Sequence, residues 1–132
     1  MPLETSPYGP ELEVHWGSDI TSVRFDGTLV ILVARMPLAG GRFEGLRITF
    51  GTAYGFRFLD ELDLARYWSA TGFTRAHHVL SVKAGGWSSE ENHLQGYDRQ
   101  RREWLVITGS GCLSVFSGDE PKIEQGEFDG EA

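Results

Sequence analysis

Cysteine is nearly absent from this sequence: Cys112 is the only one in 132 residues. A single thiol excludes an intramolecular disulfide, and with it the stapled architecture of small secreted domains. Long hydrophobic runs are missing too. The longest, Leu29 to Ala34, is far too short to span a bilayer as a helix. The start, Met1-Pro2-Leu3-Glu4-Thr5-Ser6-Pro7, has neither the basic residues nor the apolar stretch of a secretion signal, so the expected location is the cytoplasm. Basic residues are scarce, 12 against 19 acidic ones, for a net charge of −7. That field repels phosphate backbones and anionic lipid surfaces, which argues against nucleic acid or a membrane as partner. It would speed encounter with a basic protein.

What the chain does have is apolar and aromatic residues: 40% hydrophobic, with eight Phe, four Tyr and four Trp. This is enough for one autonomous core, without help from a metal or a disulfide. Residues 1–10 hold three prolines and a glycine, and residues 118–132 hold six acids against one lysine, so both ends read as loosely ordered tails. The expected domain is 11–117, with no internal repeat.

Most of the patterning has period two. Leu12, Val14 and Trp16 alternate with Glu11, Glu13 and His15, which predicts a half-buried strand with the three apolar side chains on one face. Val23 and Phe25, the turn Asp26-Gly27, and the run from Thr28 to Arg35 predict a hairpin. Its second strand is apolar on both faces and belongs in the middle of a sheet. Leu46, Ile48 and Phe50 predict a further strand, as do Tyr54 to Leu59, with Gly51-Thr52 as the turn between them. His78, Leu80 and Val82 predict a strand ending at Gly85-Gly86. Trp104 to Thr108 and Cys112 to Phe116 flank Gly109-Ser110-Gly111, which reads as a three-residue hairpin loop with a glycine in the left-handed region.

Helical signals are fewer. Asp60 as N-cap, an apolar stripe at Leu64, Ala65 and Trp68, and a stop at Thr71-Gly72 predict the main helix over about 61–70. Ser88 and Glu91 have the spacing of a capping box for a short helix over about 88–95. Together these elements predict an α+β fold: a strongly curved, mainly antiparallel sheet of about six to eight strands with the main helix packed on it.

Catalytic and metal chemistry find little purchase. His77 and His78 are adjacent, and on a strand they point to opposite faces, so one ion cannot take both without a bulge. Neither a histidine pair at helical spacing nor a paired-cysteine motif accompanies His15, His93 or Cys112. Cys112 sits in an apolar strand and reads as a core thiol. The carboxylates at Asp60, Glu61 and Asp63, and at Glu90 and Glu91, suit helix N-termini better than acid–base pairs. The sequence therefore predicts no catalytic residue, no metal and no cofactor. Arg99, Arg101 and Arg102 form the one basic knot, read as a solvated loop that could hold an anion.

The aromatics point to binding. Trp87 follows two glycines and Tyr97 follows one, as anchors in a protein interface would, with Glu90 and Glu91 as acidic neighbours. The alternative is a small-molecule pocket in the curved sheet, lined by Phe56, Phe58 and Trp68. A third reading is a hydrolase built on His77 or His78, which requires those histidines and nearby carboxylates to converge.

Three segments resemble a known kind of protein when taken together: Tyr54-Gly55-Phe56-Arg57-Phe58-Leu59-Asp60-Glu61, Val82-Lys83-Ala84-Gly85-Gly86-Trp87, and Trp104 to Thr108 through Cys112 to Val115. They are similar to small bacterial proteins of which some are encoded beside toxins as immunity proteins. The resemblance spans most of 46–123 and implies a non-enzymatic cytoplasmic protein that binds and neutralises a partner, for instance a basic toxin. It transfers no catalytic residue.

Overall fold

The computed structural model describes residues 3–60, 75–96 and 98–129. The predicted main helix over 61–70, with Trp68, lies outside the described residues, as does Tyr97.

Nine strands form two antiparallel sheets. They are β1 (Glu4–Tyr8), β2 (Asp19–Phe25), β3 (Leu29–Pro37), β4 (Arg42–Phe50), β5 (Ala53–Asp60), β6 (Val79–Ala84), β7 (Glu103–Ile107), β8 (Gly111–Ser117) and β9 (Lys122–Asp129). A 3-10 turn (Ala39–Gly41) links β3 to β4, and one described α-helix, α1 (Trp87–Gln95), joins β6 to β7. The first sheet runs β1-β6-β7-β8-β5 and the second β2-β3-β4-β9. The single strongly curved sheet of six to eight strands expected from the sequence is thus replaced by two sheets packed on a shared core.

The reason lies in strands that are apolar on both sides. Every residue of β7 and β8 is buried. Val79, Trp104, Val106, Leu113 and Val115 meet Leu29, Ile31, Val33, Leu46, Ile48 and Phe50 of the second sheet. On the other face Leu80, Leu105, Ile107 and Cys112 form a second cluster with Leu3, Val14 and Leu59. One curved sheet has a single inner face and cannot bury both sets, whereas two stacked sheets with further chain laid outside can.

The chain crosses between sheets at two neighbouring corners. Gly51-Thr52 carries it from β4 to β5, which pairs with β8 and not with β4, and residues 118–121 return it to β9 beside β4. The buried Ser117 hydroxyl ties the corners, its hydrogen shared between the Thr52 carbonyl (3.0 Å) and the Asp119 carbonyl (3.1 Å), while its oxygen accepts the Asp119 N–H (3.2 Å). Ser117→Ala should therefore cost about 1 kcal/mol in urea-unfolding stability, because two corner carbonyls lose their donor and the Asp119 amide its acceptor. An unchanged midpoint would show that the corners hold without it.

Several local expectations hold. The β2–β3 hairpin pairs Phe25 with Leu29 around Gly27, which takes φ +100°. Leu46, Ile48 and Phe50 all face the core, and β3 is an interior strand. The β7–β8 hairpin closes at Ile107 opposite Cys112. Others are corrected. Residues 11–16 form no strand: the N–H groups of Leu12 and Val14 donate to the carbonyls of Ala76 and Arg75, and the Trp16 side chain, expected beside Val14, is 84% exposed. Residues 4–8 and 122–129, read as tails, are the edge strands β1 and β9. Neither Gly109 nor Gly111 is left-handed. A Cβ on Gly109 would instead strike the Trp16 backbone, so that glycine serves a close approach.

Candidate functional site

Helix α1 carries three of the residues expected to bind a partner, and its polar sequence offers no buried residue to anchor it. What holds it is a set of specific contacts on the outer face of the first sheet. The Trp87 ring stacks on Phe116 of β8 (centroids 4.1 Å apart, 15° between planes), over the space left by Gly55. Arg57 of β5 sits over the same indole (5.1 Å) and pairs with Glu90 (2.9 Å). Glu91 accepts from Trp87 Nε1 (3.2 Å) and from Gln95 (3.1 Å). Trp87, Glu90 and Glu91 are thus brought together, but by contacts that fasten the helix to the sheet.

The helix start departs from the predicted capping box. Trp87 and Ser88 are already helical, and the N-cap, Gly86, has no side chain to offer. The cap comes from β7 instead. Glu103, fully buried, accepts the N–H of Trp87 on Oε2 (2.9 Å) and the N–H of Ser88 on Oε1 (2.8 Å). Its carboxylate occupies the place where a Cβ of residue 86 would stand, which explains the glycine. Burial raises the Glu103 pKa from its ordinary value, while the two amides and Arg57 pull it back.

Of the histidines, His77 is half-buried with no hydrogen-bond partner for its Nδ1 among the described residues. His15 and His93 are exposed. His78 is buried and held from both sides, Nδ1–H donating to the Ile107 carbonyl (2.7 Å) and Nε2 accepting from Arg35 Nε (3.2 Å). Its pKa is lowered to about 4, chiefly by burial. Cys112 lies in the outer cluster with its thiol pushed up to about 12 by burial, a packed and unreactive group. Among the described residues no group of three or more His, Cys, Asp or Glu could hold a metal ion. No described helix is long and apolar enough to cross a membrane.

A second region stands out on the rim where β2 and β5, the edge strands of the two sheets, come together. By register, Ile20, Val23 and Phe25 on β2 lie opposite core residues of β3, and Phe56 and Phe58 on β5 lie opposite Val115 and Leu113. All five therefore point between the sheets, yet the sheets leave this rim open. Phe25 is 51% exposed and Phe58 53%, with Val23 and Phe56 also exposed. Phe25 and Phe56 touch (centroids 5.5 Å apart). Between the strands runs an open cleft of about 390 Å³. Phe58 lies against Gly111 in the β7–β8 hairpin, and the tip of that hairpin packs on the backbone of exposed Trp16. Gly109 N–H donates to Ser18 Oγ (3.0 Å) and Ser110 Oγ donates to Asp19 (2.6 Å), which fixes the Trp16 turn. The result is an exposed apolar patch of Val23, Phe25, Phe56 and Phe58 along the rim.

Phe56 and Phe58 line this open rim and not the interior of a curved sheet, and Trp68, the third residue of the expected pocket, lies outside the described residues. Alternation marked β5 as a strand but could not show that β2 stops short of covering it. Alternation likewise predicts core-facing side chains for Phe25 and Trp16, which the structure exposes. No protein-family model, curated protein or solved structure matches the chain at a significant level.

Proposed function

We propose that this chain is a protein-binding domain of the immunity type, which captures a basic protein partner on the β2–β5 rim. One observation carries the reading: core-directed aromatics of two edge strands, Phe25, Phe56 and Phe58, stand half-exposed along an open cleft. Monomeric domains seldom leave large contiguous apolar surface in water, and rimmed aromatic clusters of this kind are where interface energy concentrates. The net charge of −7 favours a basic partner by steering, and encounter should slow as salt rises. The likeness to toxin-neighbour proteins in three segments points the same way.

The test is affinity purification from the native organism at moderate salt, using wild type, the double variant Phe25→Asp with Phe58→Asp, and the control Leu94→Asp, whose side chain is exposed on α1. One basic protein should be recovered in near-equal amount with wild type and control. The rim variant should bind that partner at least about tenfold more weakly while keeping its circular dichroism spectrum. Retention of the partner by the rim variant would remove the rim from the interface. Absence of any protein with wild type, together with a bound small molecule in native mass spectrometry, would transfer the Phe56–Phe58 cleft to the small-molecule reading.

A further inference from the structure

The basic knot Arg99-Gln100-Arg101-Arg102 is divided by the fold. Arg102 turns to Glu120 (3.5 Å) and the Trp104 ring (4.7 Å). Arg101 turns the other way, into an open polar cleft of about 600 Å³ between α1, the end of β6 and the strand-entry loop, where Lys83 joins it and Arg99 lines the wall with its guanidinium over the Tyr54 ring (5.8 Å). No carboxylate lies within salt-bridge distance of these three cations among the described residues. In a chain with seven more acids than bases, three cations along one concave surface with no described carboxylate partner require an account.

We propose that this cleft is an oxyanion site, which takes the phosphate or carboxylate group of a small polar ligand. Its cations are positioned in advance. Asn92 fixes the loop to the helix through both ends of its carboxamide, donating to the Arg99 carbonyl (3.2 Å) and accepting the Arg99 N–H (3.1 Å). Arg101 Nη1 donates to Asn92 Oδ1 (2.7 Å) and to Ser88 Oγ (3.3 Å), while its guanidinium rests on the Phe116 ring (5.5 Å). Those contacts hold the planar donor fork in place and leave its other nitrogens for a ligand, the arrangement in which arginine binds oxyanions best. Ser89 and His93 add further hydrogen-bonding groups along the wall. Of the two acids that line the cleft, Asp98 is exposed and the Glu103 carboxylate is turned to the helix amides. The site therefore does not depend on the helix N-terminus, which is already occupied. It is independent of the rim, lying across α1 on the outer face of the first sheet.

The experiment is a titration of ¹⁵N-labelled full chain at low salt with inorganic phosphate and, separately, with citrate, each against sodium chloride at matched ionic strength. Saturable amide shifts should appear at residues 83–86, 88–93 and 98–101, with half-saturation at about millimolar concentration or below. Lys83→Met and Arg101→Met should each weaken binding by about tenfold, the effect of losing one charge-assisted contact. Lys83 is exposed and makes no described hydrogen bond, so its variant tests the site even if Arg101→Met loosens the loop. Saturation by phosphate alone assigns a phosphoryl group, and by citrate alone a carboxylate. Absence of saturable shifts with both anions, shifts equal to those from chloride, or unchanged binding by Lys83→Met would overturn the proposal.

Discussion

Glu103→Ala should lower the unfolding free energy by about 3 kcal/mol, the larger of the stability losses expected from a single polar side chain here. The Glu103 carboxylate satisfies two of the orphan N–H groups of α1 at once, and neither Gly86 nor Ser88 can replace it from the helix itself. Without it, both amides face a buried hollow beside Gly86, and the Trp87–Phe116 stack loses the element that orients it. Glu103→Gln keeps an acceptor for one amide and should lose roughly 1 kcal/mol. Urea unfolding measures both. A loss below about 1 kcal/mol for the alanine variant, with hydrogen exchange accelerated only over 87–96, would mean that α1 opens without weakening the sheets. The pH behaviour supplies a second check. Because burial raises the folded pKa of Glu103 above its ordinary value, the proton-linked part of its contribution, separate from the amide caps, is fully present below the ordinary carboxylate range. It is lost as pH rises through the raised value. Wild type should therefore gain stability relative to Glu103→Gln as the solution is made mildly acidic.

Much of the strand pattern was legible because alternation is a local property. Leu46, Ile48 and Phe50 lie three in a row on the core face, and both hairpins close where the glycine-rich turns placed them. Strand partners are not local. Nothing in Gly51-Thr52 distinguishes a hairpin from a corner that crosses between sheets, and the Ser117 contact that makes it a corner comes from 65 residues away. The apolar faces of β7 and β8 were visible, but whether such strands sit in one sheet or between two layers depends on what covers them. Residues 11–16 show the limit of periodicity: their alternation is real, yet Ser18 and Gly109 turn the chain at Trp16 before a strand can form.

The candidate sites were legible as chemistry and not as geometry. Trp87, Glu90 and Glu91 stand out in the sequence because aromatic and acidic groups share one short segment, and the same proximity lets Arg57 and Phe116 engage them internally. Glu103 carried no signal at all, since a single glutamate before an apolar strand reads as a solvated end. The split of the arginine knot could have been anticipated: Arg101 and Arg102 are neighbours entering a strand, and neighbours on extended chain point apart.

Stability should fall by about 3 kcal/mol as pH drops from about 6.5 to below 4 through His78 alone. The ring is fully buried and neutral, with both nitrogens committed: one donates to the Ile107 carbonyl and the other accepts from Arg35. Protonation places a second cation against the Arg35 guanidinium and removes the acceptor it uses. The imidazole is buried, Arg35 and His15 both disfavour its charge, and only the Ile107 carbonyl favours it. The folded pKa of about 4 lies below the ordinary 6.5. The stabilisation is therefore complete above 6.5 and lost as pH falls through 4. This runs against the Glu103 contribution over the same range, so wild type alone shows only their difference. The two separate when urea midpoints are followed across this range in the Glu103→Gln background, where the His78 limb should stand out. Titration of the His78 ring by NMR fixes the assignment independently: a midpoint near 4 is expected, whereas one near 6.5 would mean that water reaches the ring and that Arg35 is free to turn away.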